Sequence, residues 1–268
     1  MNVVYNMDCL EAMRKMPDNA FDLAVVDPPY GDARGGGWRT DSEESSTATS
    51  IPRGGGTARR SITARHYAFG IRKSSRNYQN RRNMGSEIRK KIISWDVAPE
   101  KEYFDELFRV SRNQIIWGGN YFDLPPTRCF IVFRKTNIPE KGFSMAPVEY
   151  AWTSFNRNAE IIEAFTQGRP GEERFHPTQK PVHLYAEIFS RFAKPGMKIL
   201  DTHLGSGSSR IAAYDAGLDF VGYEIDEVYF RKAEERFQKH IEQMDLFHMD
   251  EPEKTEQMDI FDIIGGEA

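Results

Sequence analysis

Asp27, Pro28, Pro29 and Tyr30 close the apolar run FDLAVVD, and together they place one carboxylate, two proline carbonyls and one aromatic ring in a short stretch. Proline fixes φ and carries no N–H, so Pro28 and Pro29 offer only hydrogen-bond acceptors. An exocyclic amino group needs such acceptors if its nitrogen is to act as a nucleophile: both N–H bonds are held while the ring stacks on the tyrosine. For the tetrapeptide taken alone, the plain alternative is a strand followed by a proline turn.

A second group lies in ILDTHLGSGSS, where Asp201 ends an apolar run and Gly205 and Gly207 permit a tight turn before a helix. Close backbone approach at the end of a parallel strand is how a nucleotide-type cofactor is received. In FVGYEID, one βαβ unit further on, Glu224 stands where a carboxylate can accept hydrogen bonds from two ribose hydroxyls. An ordinary strand-end carboxylate is the alternative there. The turn lacks the third glycine of a dinucleotide fingerprint, and no P-loop lysine follows Gly207. The expected cofactor is therefore a nucleoside without a pyrophosphate, and S-adenosyl-L-methionine satisfies that.

These groups need strands to end them and helices to back them. NVVYN, FDLAVVD, QIIWGG, CFIVFRK, VEYAWTSF, MKILD and FVGYEID read as strands, with regularity returning after the insert at IISWD. CLEAMRKM, EYFDELFRVSR, VHLYAEIFSRFA, SSRIAAYDAG and EVYFRKAEERFQKHIEQ read as helices, with Asp8 as the first N-cap and Pro99 opening the second. The stretch from Arg157 to Arg174 reads as a polar loop. The alternation predicts an α/β fold with a Rossmann-like, doubly wound, mostly parallel sheet.

Composition narrows the classes further. Two cysteines, Cys9 and Cys129, stand far apart without neighbouring ligands, so neither a disulfide framework nor a zinc site is expected, and a cytoplasmic setting fits. Membrane association is not expected either, because no apolar run approaches the length of a span. The net charge of −4 hides two blocks of opposite sign. From Arg53 to Lys91 twelve lysines and arginines are opposed by Glu87 alone, interleaved with Tyr67, Phe69 and Tyr78, a composition suited to a polyanion. After His240 the chain turns strongly acidic.

With these motifs in view, the chain resembles the DNA amino-methyltransferases that modify adenine at N6 or cytosine at N4. DPPY is similar to their catalytic motif, DTHLGSG to their cofactor motif (usually D-x-F-x-G-x-G), and HPTQKP to the segment preceding it. The catalytic motif comes first, which resembles the permuted β class. The resemblance implies that Asp27, Pro28, Pro29 and Tyr30 are catalytic. It also implies that Asp8, Cys9, Thr178, Lys180, Asp201, Gly205, Gly207 and Glu224 bind S-adenosyl-L-methionine, Lys180 by pairing with the cofactor carboxylate. His203 stands where the family commonly has phenylalanine, and a partly buried imidazole with a backbone partner is expected. The family's adenine enzymes more often carry Asp-Pro-Pro-Tyr, so the implied substrate is adenine N6 in double-stranded DNA, with the base flipped out of the duplex. Cytosine N4 is the alternative. An RNA or protein-glutamine methyltransferase is a further one, as is a silent DNA-binding protein.

The expected organisation is a methyltransferase domain over 1–240, with a basic insert at about 31–94 as the DNA-contacting region, and an acidic tail over 241–268. The tail holds EQMDLF and EQMDIF, in which Gln243 to Phe247 and Gln257 to Phe261 resemble the peptide that binds the bacterial sliding clamp. The first copy could instead finish the last helix. A nucleoid-associated bacterial or phage enzyme of the restriction–modification kind follows from the resemblance, and a homodimer is compatible with it.

Overall fold

The computed structural model describes residues 1–31, 97–139, 146–166 and 174–249, with side chains described as far as residue 244. Most of the basic insert, the segment IISWD and the second tail peptide lie outside these residues. The chain divides into two units, Met1–Pro28 with Pro99–Ala268, and Pro29–Ala98. In the second unit the described residues include Gly31, whose φ of +71° suits glycine and whose Cβ position would lie 3.1 Å from Ala98.

The first unit opens with β1 (Asn2–Tyr5), α1 (Cys9–Met13) and β2 (Leu23–Val26). Asp8 caps α1 as expected: its backbone is extended and its carboxylate accepts the Glu11 N–H at 2.9 Å. Next come α2 (Lys101–Val110), β3 (Gln114–Trp117), β4 (Phe130–Lys135), β5 (Val148–Thr153) and β6 (Glu160–Ala164). The series ends with α3 (Val182–Phe192), β7 (Lys198–Asp201), α4 (Ser208–Asp215), β8 (Asp219–Tyr223) and α5 (Glu227–Met249).

Three boundaries differ from the sequence reading. Glu100, not Pro99, is the residue that precedes the first turn of α2. The stretch expected as a polar loop contains β6, whose Ile162 and Ala164 are buried while Ile161 and Glu163 face out. Alternation over five residues flanked by charge is a weak signal, and the pairing with β4 decides it. Finally, α5 runs through the backbone of the first tail peptide as far as Met249.

The described strands order as β1-β8-β7-β2-β3-β5-β4-β6. Every described pair is parallel except those of β5, which runs antiparallel to β3 and to β4. The doubly wound, mostly parallel sheet expected from the sequence is thus the fold formed. Strand alternation splits the core in two. Leu23 and Val25 join Ile115, Leu184, Ile188 and Phe220 on one face, under α3 and α4. Ala24 and Val26 join Met13, Phe104, Leu107 and Val110 on the other, under α1 and α2. Each fully buried leucine or isoleucine contributes about 1.5–3 kcal/mol by leaving water, so both faces hold the strand ends firmly.

Candidate active site

In a parallel sheet the strand ends collect at one edge, and ligands bind outside the carboxyl ends of the strands. Three neighbouring strands deliver acids there: Asp27 follows β2, Asp201 ends β7 and Glu224 follows β8. Because β5 runs the other way, its beginning reaches the same edge and brings Glu149 there. The end of β4 brings Lys135.

The glycine turn is built around two positive-φ residues, Gly205 at +54° and Gly207 at +73°. A Cβ at Gly205 would lie 3.3 Å from the His176 ring, so the turn and the HPTQKP segment pack closely where a side chain would intrude. The Gly205 N–H donates to Glu224 Oε2 at 2.8 Å, and the Asp226 N–H donates to Oε1 at 2.9 Å. Each carboxylate oxygen has a second lone pair, so Glu224 can take a pair of vicinal hydroxyls while keeping both backbone bonds. Burial, against these N–H bonds, raises its carboxyl above the usual range.

Asp201 is buried, accepting from Ser209 Oγ at 2.5 Å and from the His203 N–H at 3.0 Å. Burial dominates, and with the Asp27 and Glu224 charges it outweighs the two hydrogen bonds and pushes the carboxyl up to about 7. The His203 imidazole is partly buried as expected, but its Nδ1 lies 2.9 Å from a side-chain hydroxyl, Thr202 Oγ1, where a backbone partner was expected. Burial pulls the imidazole down to about 4, so it is neutral at pH 7. Thr202 in turn meets the Tyr103 hydroxyl at 2.6 Å. The Cys9 thiol is pushed up to about 12 by burial and by the Asp8 charge. It is therefore no nucleophile at neutral pH, whatever its backbone does.

HPTQKP spans the distance between the glycine turn and Asp27. His176 packs on Gly205 and lies 4.4 Å, ring to ring, from Tyr229. The His176 Nδ1 is 3.2 Å from Thr178 Oγ1, and burial lowers this imidazole to about 4. Four residues on, Lys180 Nζ donates to Asp27 Oδ2 at 2.5 Å and lies 3.3 Å from Glu149 Oε2. Glu149 Oε1 is 2.6 Å from Lys135 Nζ. The Lys180 ammonium is thus engaged by protein carboxylates, where the sequence reading directed it to the cofactor. Lys180 and Asp27 are 8% and 15% exposed, and removing one partner of so dry a pair costs about 3–5 kcal/mol. Pro29 and Tyr30 belong to the second unit.

Three residues of this edge escaped the sequence reading: Tyr103, Lys135 and Glu149. Lys135 left a trace, because it falls in phase with Ile131 and Phe133 on the buried side of β4. A cation on an apolar stripe asks for a carboxylate partner. Tyr103 and Glu149 look like ordinary members of an amphipathic helix and a strand.

A doubly wound sheet with acids at three adjacent strand ends, a glycine turn and a lysine-held Asp27 is an arrangement that can receive a nucleoside-type cofactor at its carboxyl edge. Residues 71–235 match the N6/N4 methyltransferase family, described as DNA methylase, and the chain belongs to that family. The type II methyltransferase M2.MboI of Moraxella bovis is 22% identical over 257 residues, covering 87% of this chain and 86% of that protein. YubD of Escherichia coli (strain K12) is 38% identical over 63 residues, 24% of this chain and 28% of YubD. The crystal structure of TTHA0409 from Thermus thermophilus, complexed with S-adenosyl-L-methionine, has a TM-score of 0.48 at 15% identity, covering 90% of this chain and 95% of that one. No described helix is long and apolar enough to cross a membrane.

Proposed function

We propose that this DNA methylase transfers a methyl group from S-adenosyl-L-methionine to N6 of adenine in double-stranded DNA. The observation that carries the reading is Asp27 at the end of β2, beside Asp201 and Glu224 at the ends of the next two strands. The cofactor supplies an electrophilic methyl on a sulfonium centre. Glu224 would hold its ribose, and Gly205 and Gly207 would admit its backbone-facing side. Asp8 and the Cys9 N–H would receive the adenine, and Thr178 would lie near the methionine end.

Asp27 and the Pro28 carbonyl each accept one hydrogen of the target amino group, which concentrates the nitrogen lone pair, while Tyr30 offers the face on which the flipped ring stacks. The nitrogen attacks the methyl carbon as the carbon–sulfur bond breaks, and S-adenosylhomocysteine leaves. Positive charge arrives on the nitrogen, where fixed acceptors stabilise it before a proton departs. Asp-Pro-Pro-Tyr, the form commoner in adenine enzymes, supports N6 over cytosine N4. The basic insert is the region we assign to the DNA backbone, and the two tail peptides are assigned to a sliding clamp.

The test is to incubate the protein with labelled S-adenosyl-L-methionine and mixed-sequence duplex, then digest and identify the methylated nucleoside. N6-methyladenine is expected. N4-methylcytosine would keep the chemistry and change the base. Asp27→Ala should abolish transfer, by about 10³-fold or more, while cofactor binding survives; near-normal turnover by that variant would sink the mechanism.

A further inference from the structure

The charges behind Asp27 form a chain of four. Lys135 Nζ lies 2.6 Å from Glu149 Oε1, Glu149 Oε2 lies 3.3 Å from Lys180 Nζ, and Lys180 Nζ lies 2.5 Å from Asp27 Oδ2. Cation and anion alternate, so the group is neutral overall. Its two lysines are 7% and 8% exposed, and Glu149 is partly open at 32%. The residues come from the ends of β4 and β2, the start of β5, and the segment ahead of α3. The Lys180 ammonium also sits 4.9 Å from the centre of the Trp117 ring, a wall that fixes its third side.

A surface lysine would swing among rotamers. This one is held by two carboxylates and a ring, and Glu149 is in turn held by Lys135. We infer that Glu149, anchored by Lys135, is a positioning residue that presses Lys180 onto Asp27, fixing the orientation of the carboxylate that receives the target amino group. The inference rests on the methyl-transfer reading of Asp27. It gives Lys180 a task other than binding the cofactor carboxylate. In physical terms, an acceptor must be a carboxylate, aimed, before the base arrives. A fixed cation supplies that aim without any proton transfer.

Other groups face Asp27 and set the background: Tyr103 from α2, Asp201 from β7, His203 from the glycine turn and His176 from HPTQKP. Of these, Asp201 when ionised opposes the Asp27 charge, the two imidazoles are neutral near pH 7, and the buried phenol stays protonated. Among the described residues, Lys180 is the cation in direct contact with the Asp27 carboxylate. Tyr185 faces Lys180 from α3.

The experiment compares wild type, Lys180→Met, Lys180→Arg and Glu149→Gln for kcat, for KM toward DNA, for cofactor dissociation constant and for the pH profile of kcat. In Lys180→Met the acidic limb should move up by about one pH unit or more, because an opposite charge near a carboxylate has been lost. Lys180→Arg, which keeps the charge, should hold the limb in place even where kcat falls. Glu149→Gln should lower kcat by about tenfold or more through misplacement, with both binding constants within about threefold. The carboxyl ¹³C signal of Asp27, titrated without DNA, should follow the same order, and it reads the contact independently of turnover. An unmoved Asp27 titration in Lys180→Met would overturn the inference. So would a Lys180→Met protein that loses cofactor affinity but keeps kcat, since that places the lysine on the cofactor. If wild type transfers no methyl group to any DNA, the functional reading falls, and the Asp27 titration still decides whether the lysine controls the carboxylate.

Discussion

Replacing Asp201 by asparagine should stabilise the protein increasingly as pH rises. The carboxyl has an ordinary value of 3.8 and stands at about 7 in the folded protein. Between those values the folded form keeps its proton while the unfolded form has lost it, so wild-type stability falls with rising pH. Over the full window the change is on the order of 4 kcal/mol at 1.36 kcal/mol per tenfold change in proton affinity. Other groups titrate across part of it. His176 and His203 are lowered from 6.5 to about 4, so they contribute stability that is present above 6.5 and lost as pH falls through 4. Glu149, in which burial is outweighed by the Lys180 and Lys135 charges, is lowered from 4.5 to about 2; its contribution is lost only below 4.5.

The difference between wild type and Asp201→Asn cancels those shared groups. From pH 5 to pH 8 the asparagine variant should gain about 2–3 kcal/mol on wild type, read as the separation of urea unfolding curves at four pH values. The amide oxygen can keep the His203 N–H bond made to Oδ1, while the NH2 that replaces Oδ2 must donate to Ser209 Oγ with that hydroxyl turned away, a cost nearly constant with pH. A separation that does not change with pH would refute the premise that Asp201 is held protonated by its burial. Asparagine should also weaken cofactor binding if the carboxylate form is the one the cationic cofactor selects.

Gly205→Ala meets a φ of +54° and a Cβ position 3.3 Å from His176, so it should cost about 1–3 kcal/mol and lower cofactor affinity more than DNA affinity. The tail peptides should retain purified sliding clamp in a pull-down, and replacing Leu246, Phe247, Ile260 and Phe261 by alanine should release it; equal retention by both proteins would remove that partner.

Local patterns made most of the sheet legible. Apolar runs of four to six residues ended by Asp27, Asp201 and Glu224 announce buried parallel strands, and the glycines of the turn announce where the backbone must come close. β6 was hidden because its alternation lasts only from Glu160 to Ala164, and only pairing with β4 makes a strand of it. The site was legible in the same measure. Motifs contiguous in sequence, such as Asp27 to Tyr30 or Asp201 to Gly207, could be found. A group assembled from Lys135, Glu149 and Lys180 could not, because the antiparallel placement of β5 sets which of its ends shares the edge with Asp27.

That placement has a chemical consequence. If β5 ran parallel to its neighbours, its first residues would lie at the opposite edge, and of the two described carboxylates that hold Lys180 it would keep Asp27 alone. A lone buried ion pair gains little over an apolar pair and can rotate about its single contact. Adding Glu149 gives the lysine a second fixed point, and adding Lys135 balances the charge that Glu149 brings. The reversed strand therefore does more than complete the sheet: it supplies the counter-charge that lets a lysine sit dry against Asp27, the carboxylate we propose meets the substrate.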